Sequence, residues 1–444
     1  MKHLLSIILV LITVYTNAQT GNLTGVVKGS EGFLEGAHIN VKGSELTVKT
    51  EKNGKFKLTN IPSGNQTIVV SFIGYRTLNK VVTISKNKTI ESTFELADDY
   101  LNLEGAVVTA TRNEVPVYKS PVIVSRIDNQ IFQATQSLAL SEGLNFTPGL
   151  RLETNCQNCG FTQVRMNGLE GPYSQILINS RPIFSALMGV YGLDMLPASL
   201  IDRVEVVRGG GSALYGGNAI AGTINIITKE PINNTFTIGT NYSFIDYDVP
   251  DKTINMNGSV VSDDLNKGIS FYAYNRDRKP WDANGDKYSE ITKLQNTTFG
   301  FGAFWNMSKL SKIKLNLFNI SEFRRGGNKF DLPAHQTDVT EQLDHKILGG
   351  ALSFEKYSQD YRGKFSIYTS AQTADRKSYY GGGGRILLED DTLTEDDILA
   401  INAYGRSDDL SLVVGTQYSY EFNDKFQLLS GAEYQYNHVK DKMP

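Results

Sequence analysis

A glycine-rich segment between two apolar strands constrains the fold of this chain more than any other stretch. It covers Leu196–Pro231 and reads LPASLIDRVEVVRGGGSALYGGNAIAGTINIITKEP. The predicted strands are Val204–Val207 and Thr223–Thr228, with Gly209–Gly211 and a turn at Ser212–Gly217 between them. Because glycine accepts positive φ and close backbone contact, the segment predicts a compact β-rich core. A nucleotide-binding loop is disfavoured, since no helical period follows the glycines and no Gly-Lys-Ser/Thr is present.

The order of residues in this segment resembles the end of the plug domain of TonB-dependent outer-membrane transporters. That family carries I-x-R-V-E-V-x-R-G, then S-A-L-Y-G, then A-I-x-G-x-I-N-I-I-T. The matching residues are Ile201, Arg203, Val204, Glu205, Val206, Arg208, Gly209, Ser212, Ala213, Leu214, Tyr215, Gly216, Ala219, Ile220, Gly222, Ile224, Asn225, Ile226, Ile227 and Thr228. The resemblance implies a plug that sits inside a transmembrane β-barrel.

Composition agrees with a mainly β protein. The 444 residues have a formal net charge of −3, so no basic surface argues for nucleic acid as a partner. Tyrosine and phenylalanine are plentiful, at 22 and 21 residues, and tyrosine suits an interface between lipid and water. Outside the N-terminus no apolar run is long enough for a transmembrane helix.

The N-terminus has the pattern of a secretory signal peptide over residues 1–18. Lys2 and His3 form its charged start, Leu4–Val14 its apolar core, and Thr16–Ala18 a small-residue cleavage site. The pattern predicts an exported protein whose mature chain begins at Gln19.

Residues 19–97 form the first predicted domain, a small β-sandwich. Short alternating runs recur from Gly21 to Leu96 and are separated by turn residues. Leu34-x-Gly36-Ala37, Asn53-Gly54-x-Phe56, Ile61-Pro62-x-Gly64 and Gly74-Tyr75 resemble the carboxypeptidase regulatory-like domain. That name implies no catalysis: the five histidines are scattered, without a pair at metal-ligand spacing, and we find no nucleophile–base arrangement. We therefore predict a periplasmic docking module and no enzyme.

A polar linker, residues 98–121, contains a segment that looks like a TonB box. The segment is Gly105–Arg112, and the residues expected to dock TonB are Val107, Val108, Thr109, Ala110 and Thr111. A short β-prone segment can add itself as a strand to a partner sheet. The alternative is an ordinary first strand of the next domain.

Residues 122–230 are the predicted mixed α+β plug, with a strand at Ile123–Asp128 and a short helix at Ser137–Leu144. Asn179-Ser180 stands where the family usually has Asp-Gly, which leaves the type of turn open. Two segments, Glu153–Phe161 and Phe184–Gly192, are expected to be loops. The resemblance implies that they form the plug apex and contact the ligand, through Asn155, Cys156, Asn158, Cys159, Phe184, Leu187, Met188 and Tyr191.

Cys156-x-x-Cys159 has two open interpretations. One is a local disulfide in an exported protein, and the other is capture of a soft metal such as copper(I) or zinc. A redox role is disfavoured because no thioredoxin-like βαβ pattern surrounds the pair.

Three arginines on predicted plug strands, Arg165, Arg203 and Arg208, are candidates to lock the plug by pairing with carboxylates of the barrel wall. An acidic run at Glu389–Asp391 and Glu395–Asp397 lies in a predicted external loop. It is either a solvated loop or a possible calcium site, and no cofactor is required.

Residues 231–444 change to runs of about ten alternating residues, which is typical of membrane β-strands. We count about nine strands, joined by short turns and by long connections at Asp277–Lys293, Glu322–Leu343 and Thr373–Asp409. Such barrels close with an even number of strands and plugged ones have about 22, so the sequence predicts the N-terminal part of a truncated barrel.

The resemblance implies active transport across the outer membrane of a Gram-negative bacterium. TonB, energised by ExbB and ExbD, would pull on the box and release a scarce large ligand. The ligands of this class are ferric siderophores, cobalamin, haem and other metal chelates. Two alternatives are a SusC-like glycan importer, which shares the N-terminal domain, and a copper or soft-metal receptor that uses Cys156 and Cys159. The expected partners are TonB, outer-membrane lipid and a metal chelate, with no nucleic acid.

Overall fold

The computed structural model describes residues 20–29, 32–44, 46–72, 75, 77–97, 107–108, 112, 115–116, 120, 122–156, 158, 160–182, 188–423 and 426–442. The chain divides into two compact units, Met1–Val107 and Val108–Pro444. Each is described by itself below.

The first unit is a sandwich of two four-stranded sheets, as predicted. One sheet contains β1 Thr20–Gly29, β2 Gly32–Phe33, β5 Lys55–Pro62 and β8 Thr89–Glu95, and the other contains β3 His38–Val41, β4 Thr47–Lys49, β6 Gly64–Ser71 and β7 Leu78–Ile84. Alternate side chains of β1 point inward, because successive residues of a strand face opposite sides. Leu23, Ile39 and Phe94 are fully buried between the sheets.

The second unit begins with a small two-stranded ladder and a mixed sheet. The ladder pairs β9 Val107–Val108 with β10 Val115–Pro116. The mixed sheet has the order β11-β15-β16-β14, in which β14 and β16 are parallel. Its strands are β11 Val124–Asp128, β14 Ser174–Ile178, β15 Ile201–Arg208 and β16 Gly222–Thr228. The two strands of the glycine-rich segment therefore pair with each other, in antiparallel register.

Helices and a hairpin complete the plug segment (residues 122–230) and correct three sequence predictions. The helices are α1 Asn129–Ala134, α2 Leu140–Leu144, α3 Met188–Met195 and α4 Ser212–Tyr215, so the helix predicted at Ser137–Leu144 is shorter and a second one precedes it. The expected loop Glu153–Phe161 is largely a hairpin of β12 Leu150–Cys156 and β13 Phe161–Met166. The expected loop Phe184–Gly192 is helical from Met188 onward.

The turn at Asn179-Ser180 joins the end of β14 to Arg181. Both residues have positive φ, 51° and 65°, which is the requirement of a type I′ turn. Asn225 stabilises this conformation, because its Oδ1 accepts from the Ser180 backbone N–H at 2.8 Å and its Nδ2 donates to the Ser180 Oγ at 3.1 Å. A buried asparagine thus supports a backbone shape that glycine would adopt without help.

Nine antiparallel strands, each paired with its sequence neighbour, form the rest of the described chain. We call this sheet the wall. Its strands are β17 Thr235–Ile245, β18 Val249–Val261, β19 Lys267–Arg278, β20 Lys293–Ser308, β21 Ser311–Gly327, β22 Val339–Tyr357, β23 Gly363–Gly382, β24 Tyr404–Asn423 and β25 Phe426–Lys442. The observed count and pairing confirm the predicted antiparallel sheet.

The wall has a short-turn end and a long-loop end. The connections 279–292, 328–338 and 383–403 all lie at the long-loop end, and the last of them contains the helix α5 Glu395–Asn402. All three loops are shorter than predicted, and the last two markedly so, because β21 continues to Gly327 and β23 to Gly382. The sequence missed these extensions because polar side chains there are buried against protein, which removes the apolar–polar alternation.

The two faces of the wall differ. Phe318, Ile320, Leu343, Ile347 and Ala374 join the apolar core of the plug segment. The opposite face, which we call the outer face, exposes large apolar side chains such as those of Ile269, Leu317, Leu348, Leu352, Ile367 and Val414. No helix in the described residues is long and apolar enough to cross a membrane.

Candidate functional site

The functional interface of the second unit is the contact between the plug segment and the inner face of the wall. This face carries several buried charged side chains, among them Asp251, Arg276, Lys312, Glu322 and Arg324. Burying a charge is costly unless it is paired and hydrogen-bonded. The partners of these groups therefore show how the plug segment is held.

Arg112, directly after the predicted TonB box, is held at the short-turn end of the wall. Its Nη1 lies 2.6 Å from the Glu433 Oε2 and 3.0 Å from the Tyr368 hydroxyl. Its backbone N–H donates to the Tyr215 hydroxyl at 3.0 Å, and its carbonyl accepts from the Gln417 Nε2 at 3.2 Å. We call these contacts the Arg112 clamp; they join the linker, the plug segment and three wall strands.

The electrostatics of the clamp favour a charged guanidinium. Burial opposes the charge, but the Glu433 carboxylate outweighs burial and raises the pKa of Arg112. The guanidinium also lies 5.1 Å from the Tyr215 ring centroid, in cation–π range. Burial raises the pKa of Tyr215 to about 12, which keeps its hydroxyl protonated. Tyr215, the tyrosine of the S-A-L-Y-G motif, is thus used to hold the residue that follows the box.

Arg181 extends the clamp along the wall. Its guanidinium carbon lies 3.5 Å from the Tyr368 ring centroid, and burial lowers the pKa of Arg181. The neighbouring Pro182 carbonyl accepts from the Ser370 hydroxyl at 3.5 Å. Tyr368 of the wall therefore contacts both Arg112 and Arg181.

A second ion cluster ties the end of the plug segment to the wall. Glu230 pairs with Lys312 and, at 2.9 Å, with Lys314. Burial alone would raise the pKa of the Glu230 carboxyl, but the two ammonium groups overcome it and lower the pKa to about 2. The connection from β16 to β17 is therefore fixed electrostatically as well as covalently.

Two arginines hold the plug segment at the long-loop end. Arg276 of β19 pairs with the wall residue Asp251 at 2.6 Å and with Glu142 of α2 at 3.0 Å. Arg324 of β21 pairs with Glu322 at 3.1 Å and with Asp194 of α3 at 3.4 Å. Each wall arginine thus bridges a wall carboxylate and a carboxylate of a plug helix.

The segment around Asn158 and Gly160 lies against the same part of the wall. The Arg324 guanidinium donates to the Gly160 carbonyl. A Cβ placed on Gly326 would stand 2.0 Å from the Asn158 carbonyl oxygen, so only glycine fits at this contact. The predicted apex residue Asn158 therefore does lie at the long-loop end.

For most of the other predicted apex and TonB-box residues, the structure describes no side chain. Cys159, Phe184 and Leu187 lie outside the described residues, as do Thr109, Ala110 and Thr111. For Asn155, Cys156, Met188, Tyr191, Val107 and Val108 only the backbone is described, in β12, α3 and β9. The disulfide and the metal-binding interpretations of Cys156 and Cys159 both remain predictions.

The predicted lock by Arg165, Arg203 and Arg208 is not what the described residues show. Arg165 pairs with Glu153 and Glu170, and Arg203 with Asp202 and Glu205, all within the plug segment. Arg208 packs beside Gly149, where an added Cβ would meet its Nη1 at 2.4 Å. Position on a plug strand was too weak a signal, because the arginines that reach across the interface in the described residues include Arg112, Arg181, Arg276 and Arg324.

The acidic run of the long loop has protein partners. Arg385 pairs with Asp391 at 2.8 Å and with Asp397 at 2.9 Å. Asp397 also completes a capping box with Thr394 at the start of α5. Hydrogen bonds from the Thr394 backbone N–H and hydroxyl, and then from Arg385, lower the pKa of Asp397 to about 2. These two carboxylates thus have a structural use, and calcium binding by the run stays untested.

A different acidic group was missed by the sequence analysis. Among the described residues, Asp282, Asp286 and Glu290 bring carboxylate oxygens within 4.8 Å of one another in the loop 279–292. Asp282 is held by the backbone N–H groups of Gly285 and Lys287, each at 2.7 Å. The Asp-x-Asn-x-Asp spacing from residue 282 was the available signal.

Comparisons with known proteins agree with this architecture. The family model of the TonB-dependent receptor plug domain matches residues 116–223, and that of the CarboxypepD_reg-like domain matches residues 23–108. The chain is 34% identical over 313 residues to the vitamin B12 transporter BtuB of Vibrio vulnificus (strain CMCP6), which covers 70% of this chain and 39% of the relative. It is 26% identical over 207 residues to the ferric enterobactin receptor PirA of Pseudomonas aeruginosa, covering 43% of this chain and 27% of that one.

Solved structures share the fold at low identity. The siderophore receptor PirA from Acinetobacter baumannii aligns with a TM-score of 0.56 at 18% identity, over 74% of this chain and 49% of that chain. A ferric enterobactin receptor (PfeA) mutant from Pseudomonas aeruginosa aligns with a TM-score of 0.57 at 15% identity, over 73% and 50%. The chain thus spans about two fifths of its first curated relative and about half of these structures.

These relatives are transporters and receptors, and none of those named is an enzyme. The plug match covers the glycine-rich segment up to residue 223, and the structural matches include the antiparallel wall around it. The chain thus contains a TonB-dependent receptor plug domain and a CarboxypepD_reg-like domain, and its wall of antiparallel strands shares the fold of solved receptors.

Proposed function

We propose that this chain takes part in TonB-dependent uptake of a large metal chelate, of the cobalamin or ferric siderophore kind, across the outer membrane. The observation that carries the proposal is the way the plug domain is held. Ion pairs fix it to the wall at both ends, at Arg112–Glu433 near the box and at Arg324–Asp194 near the loops. A pulling force can separate such ion pairs, and the plug domain could then move and open a path through the wall.

The box is the proposed point where force is applied. In the described part of the linker, Val107–Val108 pairs with Val115–Pro116 as a two-residue ladder, so this pairing offers little opposition to transfer of the segment to a partner sheet. In this proposal TonB, energised by ExbB and ExbD, takes up residues Val107–Thr111 as an added strand. Pulling then reaches Arg112 first, because it is the next residue in the chain. In this proposal the CarboxypepD_reg-like domain acts in the periplasm as an accessory docking module.

The ligand site is proposed at the long-loop end, above the plug domain. Asn158 and Gly160 lie there against Arg324 and Gly326, and α3 begins nearby in sequence with Met188. We expect Met188→Asp and Tyr191→Ala to weaken chelate binding at least tenfold, since both remove apolar contact area. Tyr247→Ala is the control, because this exposed tyrosine lies in another connection. Wild-type affinity in both variants would place the site on the outer loops.

The test of the transport step is uptake of radiolabelled cyanocobalamin and of ferric enterobactin by cells that express the full-length protein. Val108→Pro removes a backbone N–H that strand addition requires, so uptake should fall to the level of cells without TonB while surface binding persists. Ser120→Pro, in the same linker beyond the box, is the matched control and should leave uptake unchanged. Undiminished uptake with Val108→Pro would contradict docking at the box.

A further inference from the structure

The buried guanidinium of Arg181 has no carboxylate partner in the part of the chain that the structure describes. The residue is 8% exposed, and among the described residues its Nη1 has no hydrogen-bond partner. Its contact with the wall is the stack on the Tyr368 ring, which attracts a cation less strongly than a carboxylate does. Because a buried charge is costly unless it is paired, Arg181 gains from any carboxylate that becomes available.

The Glu433 carboxylate lies at the other end of the same tyrosine. The Tyr368 hydroxyl donates to the Glu433 Oε2 at 2.7 Å, and Arg181 stacks on the ring that carries this hydroxyl. Burial lowers the pKa of Arg181, and the carboxylates of Glu355 and Glu433 oppose this effect. Glu355 already pairs with Lys364 at 3.2 Å. Glu433 is therefore the carboxylate that Arg181 can take up if the present partner of Glu433 leaves.

That present partner is Arg112. Its Nη1 donates to the Glu433 Oε2 at 2.6 Å, and its Nη2 donates to the Oε1 at 3.3 Å. Arg112 and Arg181 carry like charges, and besides burial the charge of Arg112 lowers the pKa of Arg181. The two arginines therefore repel each other and compete for one carboxylate.

Two features favour an exchange of partners when Arg112 is pulled away. The Arg112 backbone has a φ of 57°, a left-handed conformation that is strained in a residue with a Cβ, so its departure relieves strain. The hydrogen bond from the Tyr368 hydroxyl does not depend on Arg112 and holds the Glu433 carboxylate in place. Departure of Arg112 thus removes a repelling charge and frees an acceptor in one event.

We propose that Arg181 replaces Arg112 as the partner of Glu433 when the linker is pulled from the wall. The exchange keeps the carboxylate paired, so release of the linker costs less than an unpaired buried charge would cost. It also keeps the turn after β14, which carries Arg181, on the wall after the linker has left. Release of the linker and movement of the plug domain are then separate steps. This inference deepens the proposed function and rests on it for the source of the pull.

The test is a double-mutant cycle in the full-length protein, purified in dodecyl maltoside and followed by hydrogen exchange with mass spectrometry. The reporter is the peptide over residues 174–182, in which the backbone N–H groups of Ile178, Asn179 and Arg181 are hydrogen-bonded. Arg112→Gln stands for the pulled linker. It should change the exchange rate of this peptide less than about twofold, because Arg181 takes over the carboxylate. A larger acceleration by Arg112→Gln alone would contradict the exchange.

The decisive comparison is Arg181→Gln in the two backgrounds. With Arg112 present, the change removes only the stack on Tyr368 and should accelerate exchange several-fold at most. In the Arg112→Gln background it also leaves Glu433 unpaired, so the acceleration should be at least about ten times larger. Equal factors in both backgrounds would overturn the proposal. Because neither TonB nor a ligand enters the experiment, that result would leave the proposed uptake untouched.

Arg203→Gln is the matched control for the cycle. This plug arginine pairs with Asp202 and Glu205, within the plug segment, and not with Glu433. Its effect on the peptide should therefore be the same with Arg112 and with Arg112→Gln. A dependence on the background as large as that of Arg181→Gln would show a general loosening of the plug domain, and would refute the exchange.

Glu433→Gln provides a second check, because it removes the carboxylate for which the two arginines compete. In this background the extra effect of Arg181→Gln should vanish. If the variant with both Arg112→Gln and Arg181→Gln does not fold, adding Glu433→Gln should restore folding, since no unpaired carboxylate then remains. An extra effect that persists, or folding that is not restored, would rule out the exchange at Glu433.

Discussion

At the level of single residues, Arg112 is the point where the TonB box joins the body of the plug domain. Its side chain is 8% exposed and that of Glu433 is 22% exposed, so the pair is largely shielded from water. Breaking a buried pair by removing one partner costs several kcal/mol, because the remaining charge is left unpaired. The contacts of the Arg112 clamp must therefore break before a force on the TonB box can move the plug domain.

The first residue-scale prediction is that Arg112→Gln loosens the linker without unfolding the wall. We expect residues 107–111 to become sensitive to protease, with a loss on the order of 2 kcal/mol in the stability of the plug contact. Limited proteolysis with mass spectrometry measures the cleavage. Arg126→Gln is the matched control, since the Arg126–Asp128 pair is partly exposed and surface pairs contribute little. Equal cleavage in both variants would refute the clamp.

At the level of elements, β21 can approach the segment around Asn158 because residue 326 is a glycine and has no side chain. Gly326→Ala places a methyl group 2.0 Å from the Asn158 carbonyl oxygen, a distance that requires one backbone to move. Because closely packed backbones can yield little, the movement also strains the hydrogen bond from Arg324 to the Gly160 carbonyl.

We expect Gly326→Ala to lower the melting temperature by several degrees, which corresponds to a loss of about 1–3 kcal/mol. Gly302→Ala on β20 is the control, because its nearest clash is with the Ser270 Oγ, the end of a short side chain that can rotate. Thermal unfolding followed by circular dichroism compares the two. A smaller shift for Gly326→Ala than for Gly302→Ala would count against the contact.

Most of the secondary-structure elements could be predicted from the sequence. Strand alternation predicted the antiparallel wall, and the glycine-rich segment predicted two strands that the structure shows as β15 and β16, since both signals are local. The helix that begins at Met188 was missed because its residues lack a clear apolar stripe and were taken for a loop. The Arg112 clamp could not be predicted, because its partners lie 103 to 321 residues away in the chain.

At the scale of the whole second unit, the plug domain and the wall share one apolar core and several ion pairs. Residues of both, such as Ile224 and Ile347, belong to the same buried cluster. The ion pairs surround this core, at Arg276–Glu142, Arg324–Asp194, Glu230–Lys314 and Arg112–Glu433. Because these bridges are partly or fully shielded, salt should weaken them less than it weakens surface pairs.

Glu230 makes this interface sensitive to acid. Its pKa is about 2 in the folded protein, well below the ordinary value of 4.5, because the attraction of Lys312 and Lys314 exceeds the opposing effect of burial. A carboxyl whose folded pKa is depressed stabilises the protein fully above its unfolded pKa. That stabilisation is lost as the pH falls through the folded value. The stabilisation by Glu230 is therefore lost as the pH falls from about pH 5 to about pH 2.

The whole-molecule prediction compares the wild type with Glu230→Gln across this window. At neutral pH the variant should be less stable by on the order of 2 kcal/mol, after allowing for partial solvent screening of the pair. The difference should shrink steadily below pH 5 and vanish below about pH 2, since the wild-type carboxyl is then also protonated. Urea unfolding at a series of pH values measures it, with Glu395→Gln, on the exposed loop, as the charge-matched control. A wild-type advantage that does not change between pH 7 and pH 3 would show that packing, and not charge, holds Glu230 to the wall.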